Sequence, residues 1–398
     1  MLSAVSRQII NATLPAVGAH VNQITEVFYP LMFTRYPQVK AFFNEAHQVQ
    51  GTQPRALANA VVAYASNLDR LELLGDAVNL IVHKHASLGI QPEHYPIVGE
   101  CLLAAIKEVL GDAATDEVLA AWGEAYFQLA DILIGAEEKL YSQNAQRAGG
   151  WRGEREFVLV RKVRESSLIT SFYFEPADGG EIASFKPGQY VGITLDINGE
   201  VLRRNYSLSD RPGQPHYRIS VKREAGGRVS NYLHDQLNVG DRVGLSAPCG
   251  DFVLNDAQRP LVLLSGGVGI TPTIAMLTPA LESGREVHFL HGALNSECHA
   301  FRDLIAELSQ QYSNLNAHVC YSEPLPQDSG VDQGFFNTEK LAALIPEPQN
   351  CDVYFLGPKP FMQVCYRALN ELKIPLQQIR YEFFGPLEEL HGDTLQHA

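Results

Sequence analysis

Apolar positions between residues 56 and 85 recur at helical spacing. Ala56, Leu57, Ala60, Val61 and Tyr64 form one stripe, and Ala77, Leu80, Ile81 and His85 form another. Similar patterns cover roughly residues 97–110 and 116–143 with no alternating strand among them, so the chain through residue 146 reads as all-α. The pattern stops around Gln146-Arg147-Ala148-Gly149-Gly150. Short alternating or β-rich runs follow at Glu156–Arg161, Leu168–Glu175, Tyr190–Asp196, Tyr217–Arg223 and Arg242–Ala247. Turn signals such as Asp178-Gly179-Gly180 and Asn198-Gly199 separate them, which predicts a small antiparallel β-barrel. From Pro260, strand-like Leu261–Leu264, Glu286–His291 and Val353–Leu356 alternate with helical stretches near 272–283, 299–311 and 360–372. That alternation predicts a parallel α/β sheet.

Composition sharpens the first boundary. Residues 1–146 hold 8 Gly and 6 Pro, whereas residues 147–398 hold 24 Gly and 16 Pro. A chain of 398 residues suits two or three domains. The net charge of −14 argues against a broad basic footprint for nucleic acid or anionic lipid, so an anionic cofactor must be held by local basic residues and backbone N–H groups. No apolar run approaches the ~20 residues needed to span a bilayer, and no stable membrane association is expected. Residues 1–30 show no basic start followed by an unbroken apolar stretch, because Asn11, Pro15, His20, Asn22 and Glu26 interrupt it. The six cysteines are scattered without a C-x-x-C, so neither a zinc site nor a disulfide framework is signalled and a cytoplasmic setting is expected.

Two motifs carry chemistry in the second part of the chain. Leu261–Leu264 runs into Ser265-Gly266-Gly267-Val268-Gly269-Ile270-Thr271-Pro272 and then a helix. Glycines there let backbone approach a pyrophosphate at a helix N-terminus, although such turns also arise for packing alone. Arg203-Arg204-Asn205-Tyr206-Ser207 lies after Pro187-Gly188-Gln189-Tyr190 and before Gly226-Gly227-Arg228-Val229-Ser230. An Arg, an aromatic ring and a hydroxyl on a strand can neutralise phosphate, stack on a flat ring and donate a hydrogen bond; an exposed strand with solvated charges is the plain alternative. In this order the motifs resemble the ferredoxin-reductase-like flavoprotein family over about residues 152–398. The resemblance implies FAD on Tyr190, Arg204, Asn205, Tyr206 and Ser207, and a nicotinamide cofactor on Gly267, Val268, Gly269, Ile270, Thr271 and Pro272. Tyr381-Glu382-Phe383-Phe384-Gly385-Pro386 is similar to the family's C-terminal segment, where an aromatic covers the flavin; this places Phe383, Phe384, Gly385 and Pro386 at the FAD site. Leu356 stands where many relatives have Cys before Gly-Pro. His291-Gly292-Ala293-Leu294-Asn295 offers no Arg for a 2′-phosphate, which favours NADH over NADPH.

In the helical part, His85 continues an apolar stripe and points inward, while His83, two residues away, points elsewhere. A lone inward His is ordinarily a hydrogen-bonded core residue. Its surroundings, Phe28-Tyr29-x-x-x-Phe33, Pro37–Phe43, Gln53-x-x-x-Leu57, Lys84-His85 and Tyr95, resemble a bacterial globin across residues 1–146. A globin followed by this reductase resembles a bacterial flavohaemoglobin. The domains then read as a globin haem domain at 1–146, an FAD-binding β-barrel at 147–258 and an NAD(P)-binding α/β domain at 259–398.

The resemblance makes His85 the proximal ligand of a haem b iron, packs Phe43 on the haem, and forms the distal wall from Tyr29, Gln53 and Leu57. It also gives Tyr95 and Glu137 the task of holding the proximal His, though a surface charge is the ordinary reading of Glu137, because Glu138 and Lys139 follow. Lys84 and Glu382 fall where the family joins haem to flavin, and opposite charges there would tune electron transfer. The implied activity is dioxygenation of NO by O2 to nitrate, with electrons passing from NAD(P)H through FAD to haem in a monomer. The alternatives are a flavin reductase of hydroperoxides, ferric ions or quinones, and an O2-binding or sensing globin.

Overall fold

Ser3 begins the first helix: its hydroxyl accepts from Ser6 N at 3.0 Å, and α1 (Ala4–Ala19) follows. After α2 (Val21–Arg35) and a 3-10 turn at Pro37–Phe42 come α3 (Gly75–Leu88), α4 (His94–Leu110) and α5 (Asp116–Gln146). Thr115 caps α5 by accepting from Val118 N, and Asp116 and Glu117 suit the positive end of its dipole. Trp122 on α5 donates to Thr13 on α1 at 3.0 Å, and Tyr36, just after α2, donates to Glu100 on α4 at 2.6 Å. The protein is seen in a computed structural model that describes residues 2–43, 60–68, 70 and 75–384. Residues 60–66 are helical, so Ala60, Val61 and Tyr64 fall on the predicted helix, while Ala56, Leu57 and Gln53 lie outside the described residues.

A six-stranded antiparallel sheet follows, with strands β1 (Glu154–Arg164), β2 (Ile169–Pro176), β3 (Tyr190–Ile197), β4 (Glu200–Ser207), β5 (Tyr217–Lys222) and β6 (Arg242–Ser246) in the order β4-β3-β6-β1-β2-β5. A bridge from Leu208, just past β4, to Ile219 on β5 links its two outer strands and curls the sheet on itself. The helix α6 (Arg228–Asp235) lies between β5 and β6.

The remainder is a parallel sheet of β7 (Leu261–Gly266), β8 (Val287–Ala293), β9 (Leu315–Tyr321), β10 (Asp332–Gln333), β11 (Asp352–Leu356) and β12 (Ile379–Tyr381), ordered β10-β9-β8-β7-β11-β12. Helices α7 (Ile270–Glu282) and α8 (Arg302–Gln311) share one core with Leu261, Leu263, Phe289 and Leu356. Helices α9 (Thr338–Leu344) and α10 (Lys359–Glu371) share the other with Val262, Leu264, Val353 and Phe355. A sheet covered on both faces has nearly continuous apolar strands, as Leu261–Leu264 shows. From β7 the chain builds outward through β8, β9 and β10, then returns to add β11 and β12 on the other side. The order therefore reverses between β7 and β11, and open α/β sheets bind ligands beyond the carboxyl ends of strands at such a point.

Contacts divide the chain into two units, one joining Met1–Arg155 to Gly192–Arg204 and one holding Glu156–Val191 with Asn205–Phe384. No helix among the described residues is long and apolar enough to cross a membrane.

Candidate functional site

Three helices of the first unit converge on one imidazole. His85 lies near the end of α3, Tyr95 in the first turn of α4 and Glu137 in the middle of α5. Glu137 Oε1 lies 2.7 Å from His85 Nδ1 and accepts from the Tyr95 hydroxyl at 2.5 Å, while Tyr95 Oη is 3.1 Å from the same Nδ1. Glu137 is 2% exposed, unlike Glu138, which pairs with Arg152 in the open. Burial, then the bond to Glu137, pushes the Tyr95 pKa far up, so its phenol stays protonated and donates. The His85 side chain keeps 32% of its surface open even though its Nδ1 edge meets a buried carboxylate. An imidazole pinned at Nδ1 with the rest of its ring open has the arrangement of a metal-bound histidine. These residues fit a haem iron.

Tyr29 and Phe33 on α2 and Phe43 after the 3-10 turn form an aromatic group, with ring centroids 5.7 Å apart for Tyr29–Phe43 and 5.2 Å for Phe33–Phe43. Burial raises the Tyr29 pKa, which keeps its hydroxyl a donor. Lys84 precedes His85 on α3, and Glu382 follows β12 in the second unit.

In the antiparallel sheet, Tyr190 begins β3 and Arg204, Asn205, Tyr206 and Ser207 end β4. Tyr190 and Ser207 are buried; Arg204, Asn205 and Tyr206 are half-buried. Gly250 takes φ +108°, and a Cβ there would come within 2.9 Å of the Tyr190 ring, so this glycine lets the chain turn against the ring. Ser209, two residues past Ser207, hydrogen-bonds Ser220, which bonds Ser171, both at 2.7 Å; this buried hydroxyl ladder anchors the end of the motif to β5 and β2. The N-terminus of α6 follows Gly226-Gly227 and has no side-chain cap, which suits a phosphate. The donors and aromatic rings present fit a flavin dinucleotide.

At the point where strand order reverses, Gly267–Gly269 form a 3-10 turn between β7 and α7. A Cβ on Gly269 would overlap the Leu356 carbonyl at the end of β11, so only glycine lets the two strand ends close up. Val268, Ile270, Thr271 and Pro272 complete this turn, with Thr271 Oγ1 donating to Val268 O at 3.1 Å. No side chain caps α7; Ile270 N–H turns back to Gly267 O and Val268 O and Pro272 carries no N–H, so the glycine backbone of the turn is what the crevice offers a dinucleotide. Leu356 points into the core beside Leu263 and Ile270.

Comparison with known proteins agrees with this layout. Residues 26–133 match the Globin model, 156–254 the Oxidoreductase FAD-binding domain and 263–367 the Oxidoreductase NAD-binding domain. A flavohemoprotein of Pseudomonas aeruginosa is 54% identical over 98% of this chain and 100% of its own, and one of Burkholderia sp. is 52% identical with the same coverage. The chain belongs to the flavohemoprotein family. A solved flavohemoglobin from Malassezia yamatoensis, described with bound FAD and heme, matches 96% of this chain and 100% of its own at 30% identity and TM-score 0.85. The FAD/NAD-binding domain of a nitric oxide dioxygenase from Vibrio cholerae matches 58% of this chain and 99% of its own at 39% identity and TM-score 0.54. This flavohemoprotein is thus an oxidoreductase of globin, FAD-binding and NAD-binding parts.

Other expected site residues are placed less tightly. Phe383 packs on the core of the parallel sheet beside Tyr381, and Phe384 is exposed. Gly385 and Pro386, like Gln53 and Leu57, lie outside the described residues. Sequence reasoning passed over a buried polar group at the carboxyl ends of β7, β8 and β9. Ser265 Oγ is 2.9 Å from His291 Nδ1, the His291 and His299 rings lie 4.9 Å apart, and His299 Nδ1 is 2.9 Å from the Tyr321 hydroxyl. The spacing of His291 and His299 was its one visible signal. Tyr126 and Tyr141 were also missed; their hydroxyls donate to Tyr95 O and Ile90 O, steadying the turn before α4.

Proposed function

We propose that this flavohemoprotein is a nitric oxide dioxygenase with haem b, FAD and a nicotinamide donor, NADH favoured. Two NO and two O2 react with one NAD(P)H to give two nitrate, NAD(P)+ and a proton. When bound, the haem supplies one-electron iron chemistry, and FAD divides a two-electron hydride into single electrons. His85 holds the iron, and Glu137, itself held by Tyr95, takes the imidazole Nδ1–H. Tyr29, kept protonated by burial, donates to the oxygen substrate. Arg204, Tyr206, Ser207 and Tyr190 orient the flavin, and Gly267–Pro272 receive the nicotinamide dinucleotide.

The observation that carries the proposal is the buried carboxylate on His85. A carboxylate acceptor makes imidazole a stronger electron donor than a backbone carbonyl does, which favours oxygen activation over reversible carriage. A fused source of electrons agrees, since a carrier has no need of continual reduction. The scattered free thiols fit a cytoplasmic setting, and we take the enzyme to be a monomer. NO consumption in an electrode cell, with O2 and NADH supplied or omitted separately and nitrate assayed afterwards, tests the proposal. Fast loss that needs both and yields nitrate is the expected result. Slow or O2-independent loss, with NADH still reducing dyes, would leave a flavin reductase of another acceptor.

A further inference from the structure

The β3–β4 hairpin groups with the helices of the first unit, and Arg203 on β4 shows the contact that joins them. Its guanidinium lies over the Phe42 ring, 4.9 Å from the centroid. Phe42 in turn packs on the His94 imidazole, with ring centroids 4.6 Å apart. His94 is itself fixed, since its Nδ1 accepts from Gln91 N at 3.0 Å in the turn that opens α4. The next residue is Tyr95, which bonds Glu137 and lies beside His85. Burial lowers the Arg203 pKa, and Glu154 offsets that only in part, so the cation has exchanged water for an aromatic face.

Arg203 also adjoins the flavin motif. Its carbonyl accepts from Arg204 Nη1 at 2.6 Å, and the run Arg204–Ser207 starts at the next residue. We propose that Arg203 is a positioning residue for electron transfer from flavin to haem, fixing the start of the flavin-binding run against Phe42 and His94. This rests on reading the chain as an enzyme that passes electrons from FAD to haem. Transfer between two redox groups falls off exponentially with distance, so a shift at this contact is felt at the haem without any change in hydride delivery. A cation held over the face of an aromatic ring is attracted by the ring's quadrupole as no neutral side chain of similar length can be.

The test uses holoenzyme carrying FAD and haem, in stopped flow under anaerobic conditions. Arg203→Met should leave flavin reduction by NADH within about twofold of wild type. It should slow haem reduction several-fold, beyond the change allowed for flavin reduction. Arg203→Lys, which keeps the cation, should recover most of the rate, and Phe42→Leu should add little to Arg203→Met in a double-mutant cycle. Amide hydrogen exchange gives a readout independent of turnover: protection of residues 37–43 and 200–204 should fall together in Arg203→Met and hold in Arg203→Lys. Wild-type haem reduction with unchanged protection in Arg203→Met overturns the positioning role. Loss of FAD from that variant would make Arg203 a flavin-retention residue instead. Wild-type protein whose flavin is reduced while its haem stays oxidised would overturn the electron-transfer reading itself, and this proposal with it.

Discussion

Glu137 Oε1 receives the Tyr95 hydroxyl and meets His85 Nδ1 at the same time, at 2.5 Å and 2.7 Å. One buried oxygen therefore sets both the orientation of the imidazole and its donor strength. Glu137→Gln keeps the shape and removes the charge. It should lower the Fe–His stretching frequency and cut turnover by about 10- to 100-fold, the usual scale for partners of a metal-bound histidine. Tyr95→Phe leaves the carboxylate in place and should shift the frequency less. An unmoved stretch in Glu137→Gln would mean that the carboxylate holds the helices together without influencing the iron.

Gly269 is irreplaceable for a steric reason, because a methyl there meets the Leu356 carbonyl. Gly269→Ala should force the turn after β7 away from the end of β11 and spoil the dinucleotide crevice between them. KM for NADH should rise at least about tenfold, equivalent to roughly 1.4 kcal/mol. The Soret band should stay as in wild type, since the helical unit is untouched. An unchanged KM would show that the cofactor does not use this turn.

Much of this was legible in the sequence wherever a pattern is periodic or a motif local. The helical stripe ending in His85, the apolar run at Leu261–Leu264 and the glycines after it all appear where their spacing predicts. Glu137 shows the limit. Its neighbours Glu138 and Lys139 make it look like surface, and only the approach of α3 and α4, distant in sequence, makes that position buried. β9 was unmarked because, next to the short outer strand β10, it buries only Leu315, Cys320 and Tyr321. Arg203 was read as one of two motif arginines, since nothing local distinguishes a residue facing Phe42 from one beside a phosphate.

Asp352 opens β11 at the amino edge of the parallel sheet, away from the nucleotide crevice. Its side chain is fully buried and receives Arg285 Nη2 at 2.6 Å, Arg259 Nε at 3.0 Å and Asn255 Nδ2 at 3.1 Å. Arg285 is itself only 2% exposed, so removing its partner leaves a buried cation uncompensated. Asp352→Asn should destabilise the protein by about 3–5 kcal/mol in urea unfolding, the scale for breaking a buried pair. KM for NADH should not change. A loss under about 1 kcal/mol would mean that Arg259 and Arg285 find other acceptors.

The imidazoles beside the nucleotide turn give the protein a defined sensitivity to acid. Burial lowers the His299 pKa from 6.5 to about 4, with nearby Arg302 adding to the effect and Asp303 opposing it. His291 shifts in the same direction, again through burial and then through His299. A histidine with a folded pKa below its unfolded one takes up its proton first in the unfolded chain. Its contribution to stability is therefore complete above pH 6.5 and is lost as the pH falls toward 4. For His299 the two values differ by enough to remove up to about 3 kcal/mol over that window. Urea unfolding of wild type and His299→Phe at pH 7, 5.5 and 4 measures this directly. The wild type should lose more stability than the variant on acidification, with the gap between them changing by up to that amount. A difference that stays constant with pH would mean that His299 takes up its proton at the same pH in the folded and the unfolded chain.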